Sequence, residues 1–284
     1  MCDRRRVPAG PARRAARLVL AASLVLAASL VLVRPLAAAP PAAGAEESRP
    51  SDPRELLLRA DRVRTAWSEA RLVLRIVTTR PGAPEQRGDF EVLVKGEKAR
   101  ISFLDPADAG KALYVSGEDA WLVLPTAHNP IRIPRAYRLT GGFSVGDVAF
   151  TRFAEDYDAL WERSDVLDGR ACDVLRLMQR RDRHPPFPVL RVWIDREEGL
   201  TRKIVFLLPS GKTAREATFD AYATLGGTLS VKRMTILDTL RPGTTTVEYL
   251  EGERKKLSDA LFDPKGAKKA QEAGEGKVPS AHDR

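Results

Sequence analysis

The sequence predicts a mainly β protein, one long antiparallel meander of about ten to eleven strands with few helices. Three observations predict it. Hydrophobicity repeats every second residue from position 72 onward: Leu72, Leu74 and Ile76 alternate with Arg71, Val73 and Arg75, and Phe90, Val92 and Val94 with Asp89, Glu91, Leu93 and Lys95. Such alternation makes a strand with one apolar face. Turn dipeptides then punctuate the second half, with Asp168-Gly169 as a hairpin turn and Glu198-Gly199, Ser210-Gly211, Gly226-Gly227 and Pro242-Gly243 after it. Finally, helical periodicity is confined to the start of the body. A sheet of that size must curl or close on itself.

The elements follow in order. Residues 1–45 read as an export leader: seven arginines and one aspartate, a net of +6 out of the chain's +9, with the sixteen uncharged residues 18–33 before Arg34-Pro35. Ala43-Gly44-Ala45 before Glu46-Glu47 is the preferred cleavage site, and a retained membrane anchor is the competing reading, for which the apolar run is a little short. Residues 46–51 form a linker. Asp52 is an N-cap with Pro53 at the first helical position, so a helix should run to about Trp67. The strands then fall near 72–76, 90–94, 99–104, 111–116 and 120–124, on either side of Asp168-Gly169, and at 189–195, 202–208, 212–222, 230–238 and 244–251. Two stretches interrupt them. Residues 127–153, with Pro130, Pro134, Gly141, Gly142 and Gly146 among basic and aromatic residues, read as a long loop and candidate lid. Residues 179–188 (QRRDRHPPFP) read as a basic, solvated connection. The segment 265–284, rich in Lys, Glu, Ala and Gly, reads as a disordered tail.

Charge excludes one class of function. Outside the leader the chain carries 40 basic and 37 acidic residues, too even a balance for the concentrated basic face of a nucleic-acid binder. Catalytic signatures are missing as well: there is no G-x-S-x-G, G-x-G-x-x-G, P-loop, H-E-x-x-H or C-x-x-C. His128 and His184 stand without a His or Cys at ligand spacing, and His282 lies in the tail. The carboxylates Glu155, Asp156 and Asp158 read as a solvated face rather than an acid/base pair. Cys172 is the one cysteine beyond the leader and sits in an alternating stretch, as a small buried strand residue would.

Apolar surface remains. The inward set of the curled sheet is Leu72, Leu74, Ile76, Phe90, Val92, Val94, Ile101, Phe103, Trp121, Val123, Phe206, Phe219 and Ile236. Each could be plain core or the wall of a cavity. Periodicity alone does not choose between them.

Four stretches carry a resemblance: residues 137–158 (YRLTGGFSVGDVAFTRFAEDYD), 166–177 (VLDGRACDVLRL), 191–222 (RVWIDREEGLTRKIVFLLPSGKTAREATFDAY) and 257–264 (LSDALFDP). In this order they resemble the outer-membrane lipoprotein-sorting proteins, relatives of the periplasmic LolA/LolB-type lipoprotein carriers, over residues 52–264. The resemblance implies a half-open β-barrel whose concave side is covered by helices. It also implies a monomeric periplasmic carrier that holds acyl chains of lipoproteins or phospholipids in its cavity. Such a carrier works without catalysis, cofactor, metal or nucleic acid, with an inner-membrane transporter or an outer-membrane acceptor as its partner. It implies acyl contact for Leu72, Leu74, Ile76, Phe90, Val92, Ile101, Phe103, Trp121, Phe206, Phe219 and Ile236. Trp67, Tyr137, Phe143, Phe150 and Phe153 take the place of a lid or mouth. A lipid or lipoprotein sensor and an accessory subunit of a lipid exporter share the same cavity and remain alternatives.

Overall fold

A computed structural model describes residues 52–117, 119–134, 137–140, 143–144 and 152–266. The leader, the linker, the tail beyond residue 266, the side chain of Phe143 and the whole of Phe150 lie outside the described residues.

Helix α1 (Pro53–Arg64) opens the described chain. The Asp52 carboxylate accepts the Arg54 amide at 2.8 Å, so the cap forms where the sequence places it. Leu56, Leu57 and Ala60 give the helix one buried side. It ends at Arg64, three residues short of Trp67, which lies beyond the helix and is nonetheless buried.

Two meanders follow. The first is β1 (Glu69–Arg80), β2 (Ala83–Lys95), β3 (Lys98–Phe103), β4 (Ala112–Ser116), β5 (Asp119–Val123) and β6 (Ile131–Ile133). After a separate pair, β7 (Arg138–Thr140) with β8 (Phe143–Ser144), comes the short helix α2 (Phe153–Asp156). The second meander is β9 (Tyr157–Leu167), β10 (Arg170–Gln179), β11 (Val189–Asp195), β12 (Thr201–Leu207), β13 (Thr213–Leu225), β14 (Thr228–Asp238) and β15 (Gly243–Arg254). Pairing of β1 with β15 joins the two into one antiparallel sheet of thirteen strands, with β6 and β9 as its edges. The sheet is therefore open, because its edge strands do not pair with each other.

Thirteen strands exceed the expected ten to eleven. The 127–153 stretch, expected to be a loop, contains β6, β7 and β8. Three residues between Pro130 and Pro134 are too few for a period of two to register in the sequence.

One core cluster draws residues from both meanders, including Leu74, Ile76, Val92, Ile101 and Leu113 from the first and Leu175, Leu177, Leu190, Ile194 and Val247 from the second. That is the packing of a sheet curled over its own concave face. Helix α1 packs on this face against β9, β12, β14 and α2. On the opposite face Leu93 packs with Leu257 and Phe262 of the C-terminal segment, and a short 3-10 helix (Asp259–Phe262) runs beside β3 and β4.

Trp121 and Val123 correct the expected inward set. Both pack with Ala112 and Tyr114 in a separate cluster, while Ala120 and Leu122 carry β5 into the main core. Both faces of β5 are apolar, so alternation does not say which one turns inward. The hairpin turn at Asp168-Gly169 forms as expected, both residues having positive φ, 50° and 77°, as a type I′ turn requires. Cys172 is fully buried on β10, and burial pushes its thiol pKa up.

Candidate functional site

The site begins with a charged residue on the apolar side of α1. Asp61 is buried, and its carboxylate accepts two different groups. One oxygen takes the Arg64 guanidinium, at 2.7 Å from Nη2 and 3.2 Å from Nε. The other takes the Ala154 amide of α2 at 2.9 Å. Arg64 also lies 3.9 Å over the Phe153 ring, and Phe153 meets Tyr157 edge-on at 5.9 Å. The C-terminal end of α1, α2 and the start of β9 are thereby held together across the concave face.

Beneath this joint lies a cavity of about 110 Å³. Its sheet wall comes from Leu72, Val94, Ile204, Phe206, Ala217, Phe219, Val231, Met234, Ile236 and Tyr249, and its helix side from Arg64, Thr65, Trp67, Arg152 and Phe153. Arg215 of β13 also lines it, 4.2 Å over the Phe206 ring and 4.9 Å over that of Phe187. Trp67 is seated by a close backbone approach: a Cβ at Gly252 would lie 2.6 Å from its ring. The Trp67 indole nitrogen is buried with no hydrogen-bond partner among the described residues.

Of the residues read as acyl contacts, Leu72, Phe206, Phe219 and Ile236 line the cavity. Leu74, Ile76, Phe90, Val92 and Ile101 lie in the core continuous with it, and Phe103 packs against that core. Trp121 is absent from both. Of the mouth residues, Trp67 and Phe153 line the cavity and Tyr137 packs against the core; Phe143 and Phe150 fall outside the described side chains. Sequence reasoning missed Arg64, Arg152 and Arg215. Arg215 shares the inward row of β13 with Ala217 and Phe219, so alternation could have found it, but a charged residue on an apolar row reads as an exception. It missed Phe187 as well. That residue sits in the basic 179–188 connection yet packs against the core, where its carbonyl accepts the Tyr157 hydroxyl at 2.8 Å.

Comparison with known proteins places this geometry. A family model described as an uncharacterized protein matches residues 95–267, more than half of the chain. The chain belongs to that family. Among solved structures it is similar to a LolA superfamily protein from Nitrosomonas europaea, with a TM-score of 0.67 and 24% identity, over 74% of this chain and 97% of that one. It is similar to a DUF1329 family protein from Desulfovibrio piger at TM-score 0.65 and 19% identity, over 75% and 98%. An outer-membrane lipoprotein-sorting protein domain from Vibrio parahaemolyticus matches at TM-score 0.63 and 17% identity, over 76% and 97%. No curated protein matches the chain. The family thus carries the LolA-type fold, an open curved sheet with helices on its concave side, and the cavity lies between those helices and that sheet.

The electrostatics of the cavity are those of its arginines. Among the described residues its lining holds three of them and no carboxylate, and Asp61 and Glu155 bind Arg64 and Arg152 from outside it. Burial pushes the hydroxyl pKa values of Tyr157 and Tyr222 upward, which leaves both phenols neutral at neutral pH.

Proposed function

We propose that this protein is a periplasmic carrier that holds acyl chains of lipids or lipoproteins against the concave sheet, beneath α1 and α2, and performs no catalysis. The observation that carries the reading is a cavity walled mainly by apolar side chains between helix α1 and an open sheet, on the fold shared with the LolA superfamily and lipoprotein-sorting proteins. In this reading residues 1–45 direct export and are removed, 46–51 link, and 52–264 carry the cargo. An inner-membrane transporter or an outer-membrane acceptor is the proposed partner.

The size of the cavity sets the mechanism. Each buried methylene is worth about 0.8 kcal/mol, so a sixteen-carbon chain in water is disfavoured by about 12 kcal/mol. A cavity of about 110 Å³ is smaller than the ~150 Å³ that houses a single benzene ring. A whole chain therefore enters only if α1 moves off the sheet and uncovers more of the wall it packs against, on β9, β12 and β14. Cargo then replaces contacts the helix already makes. It gains the difference rather than the full transfer energy, and so it can be released again. Trp67, Tyr137, Phe143, Phe150 and Phe153 are the proposed mouth.

Native mass spectrometry with lipid extraction of the protein purified from a bacterial periplasm tests this. Co-purifying lipid or lipoprotein in a discrete ratio is the expected result. A bare polypeptide mass, with no later uptake of a fluorescent fatty acid, would refute it.

A further inference from the structure

We infer that the cavity selects an amphiphile with an anionic head, a phosphate or a carboxylate on an alkyl chain, and that Arg64, Arg152 and Arg215 receive that head. The inference rests on the carrier reading and adds the chemical class of the cargo.

The argument starts from which groups reach the cavity wall. A cavity meant for hydrocarbon alone has no use for guanidinium groups, which cost free energy wherever they leave water. Here three arginines line a cavity walled mainly by apolar side chains, and among the described residues no carboxylate does. Two of the acids that compensate them stand behind. Asp61, 2.7 Å from Arg64, is turned toward the Ala154 amide, and Glu155, 3.0 Å from Arg152, is half-exposed. Each of these pairs presents its positive end to the cavity. The arginines come from three separate elements, the last turn of α1, the approach to α2, and β13. They meet only where helices and sheet enclose the cavity.

The positions are also held. Arg64 is braced by Asp61 on one side and the Phe153 ring on the other, and Arg215 by the rings of Phe206 and Phe187. A guanidinium so held offers planar, paired N–H donors that match phosphate and carboxylate oxygens. The surrounding apolar residues, Phe206, Phe219, Met234 and Ile236, begin the path along which the attached chain would run. Charge and hydrocarbon recognition therefore adjoin, as an amphiphile requires.

The test uses the full exported protein, delipidated, with a neutral fluorescent alkyl probe displaced by four ligands of one chain length. These are hexadecyl phosphate, hexadecanoate, hexadecanol and hexadecyltrimethylammonium. At least one anion should bind about tenfold or more tightly than the alcohol, and the cation should bind weakest, because hydrogen bonds to charged groups are the strong ones. Whichever anion leads identifies the head. Arg152→Gln, at a half-exposed side chain whose loss does not threaten the fold, should narrow the gap between anion and alcohol, and Arg152→Lys should restore part of it. Equal binding of anions and alcohol would overturn the inference and leave the carrier reading standing. Failure of all four to bind would overturn the carrier reading and this one with it. Displacement of hexadecyl phosphate by an equal concentration of inorganic phosphate would also overturn it, in favour of a plain anion site.

Discussion

The Asp61 carboxylate of α1 accepts the backbone amide of Ala154, ninety-three residues downstream, at 2.9 Å in a buried setting. With the bridge from Asp61 to Arg64 at 2.7 Å, this one side chain ties the helix that covers the sheet to the short helix at the cavity's rim. Any movement of α1 that uncovers the wall must first break or carry along this contact.

Asp61→Ala should therefore destabilise the protein by about 3 kcal/mol, since it strips a partly buried arginine of this carboxylate and leaves the Ala154 amide without its acceptor. Asp61→Asn, which keeps an oxygen for the amide, should cost less. Urea unfolding of the two variants gives the comparison. Equal midpoints for wild type and Asp61→Ala would show the tie to be dispensable.

Ala217 stands on the cavity wall and is almost fully buried. Ala217→Phe would put a ring into a space of about 110 Å³. Overpacking of this kind costs about 1–3 kcal/mol, so the fold should survive. Uptake of a fluorescent fatty acid should fall about tenfold or more. Unchanged uptake by a folded Ala217→Phe protein would place the acyl site elsewhere.

Gly252 sets the position of Trp67. A Cβ there would meet the ring at 2.6 and 2.7 Å, so Gly252→Ala must displace the indole from the cavity wall. A loss of about 1–3 kcal/mol is expected. Tryptophan emission should shift to longer wavelength, and the shift should be absent when Gly252→Ala is made together with Trp67→Phe. A shift that persists in the double variant would assign it to another tryptophan.

The C-terminal segment is pinned to the outer face by charge. Asp259 is 2.8 Å from Lys98 and 3.1 Å from Lys95, and Lys95 also donates to the Leu257 carbonyl at 2.8 Å. Lys98 first, then Lys95, hold the Asp259 carboxyl below the ordinary aspartate range. A carboxyl lowered on folding favours the folded state in its ionised form. Its contribution is full above about pH 4 and is lost as pH falls through the lowered value. The gap in urea midpoint between wild type and Asp259→Asn should be open at pH 6, close toward pH 3, and shrink in 1 M salt. A gap independent of pH would mean that the ion pairs contribute nothing.

Much of the fold was legible because its signals are local. The cap at Asp52, the hairpin at Asp168-Gly169 and the alternation of Leu72, Leu74 and Ile76 each depend on a few neighbouring residues, and each stands where the sequence puts it. Trp121 was misplaced because β5 is apolar on both faces, and a strand's pattern then carries no information about which face turns in. The strands β6, β7 and β8 escaped notice because each has three residues or fewer.

By itself the sequence determined a mainly β chain of antiparallel strands behind one N-terminal helix, and most of the side chains that face inward. It could do so because period, cap and turn are written over a few adjacent positions. Only the tertiary structure decided that β1 would close against β15, that Asp61 would reach Ala154, and that Arg64, Arg152 and Arg215 would share one cavity. These contacts join residues from 63 to more than 180 positions apart in the chain, and no local pattern records a distance of that kind. It is set when the curled sheet brings its two meanders around a common core.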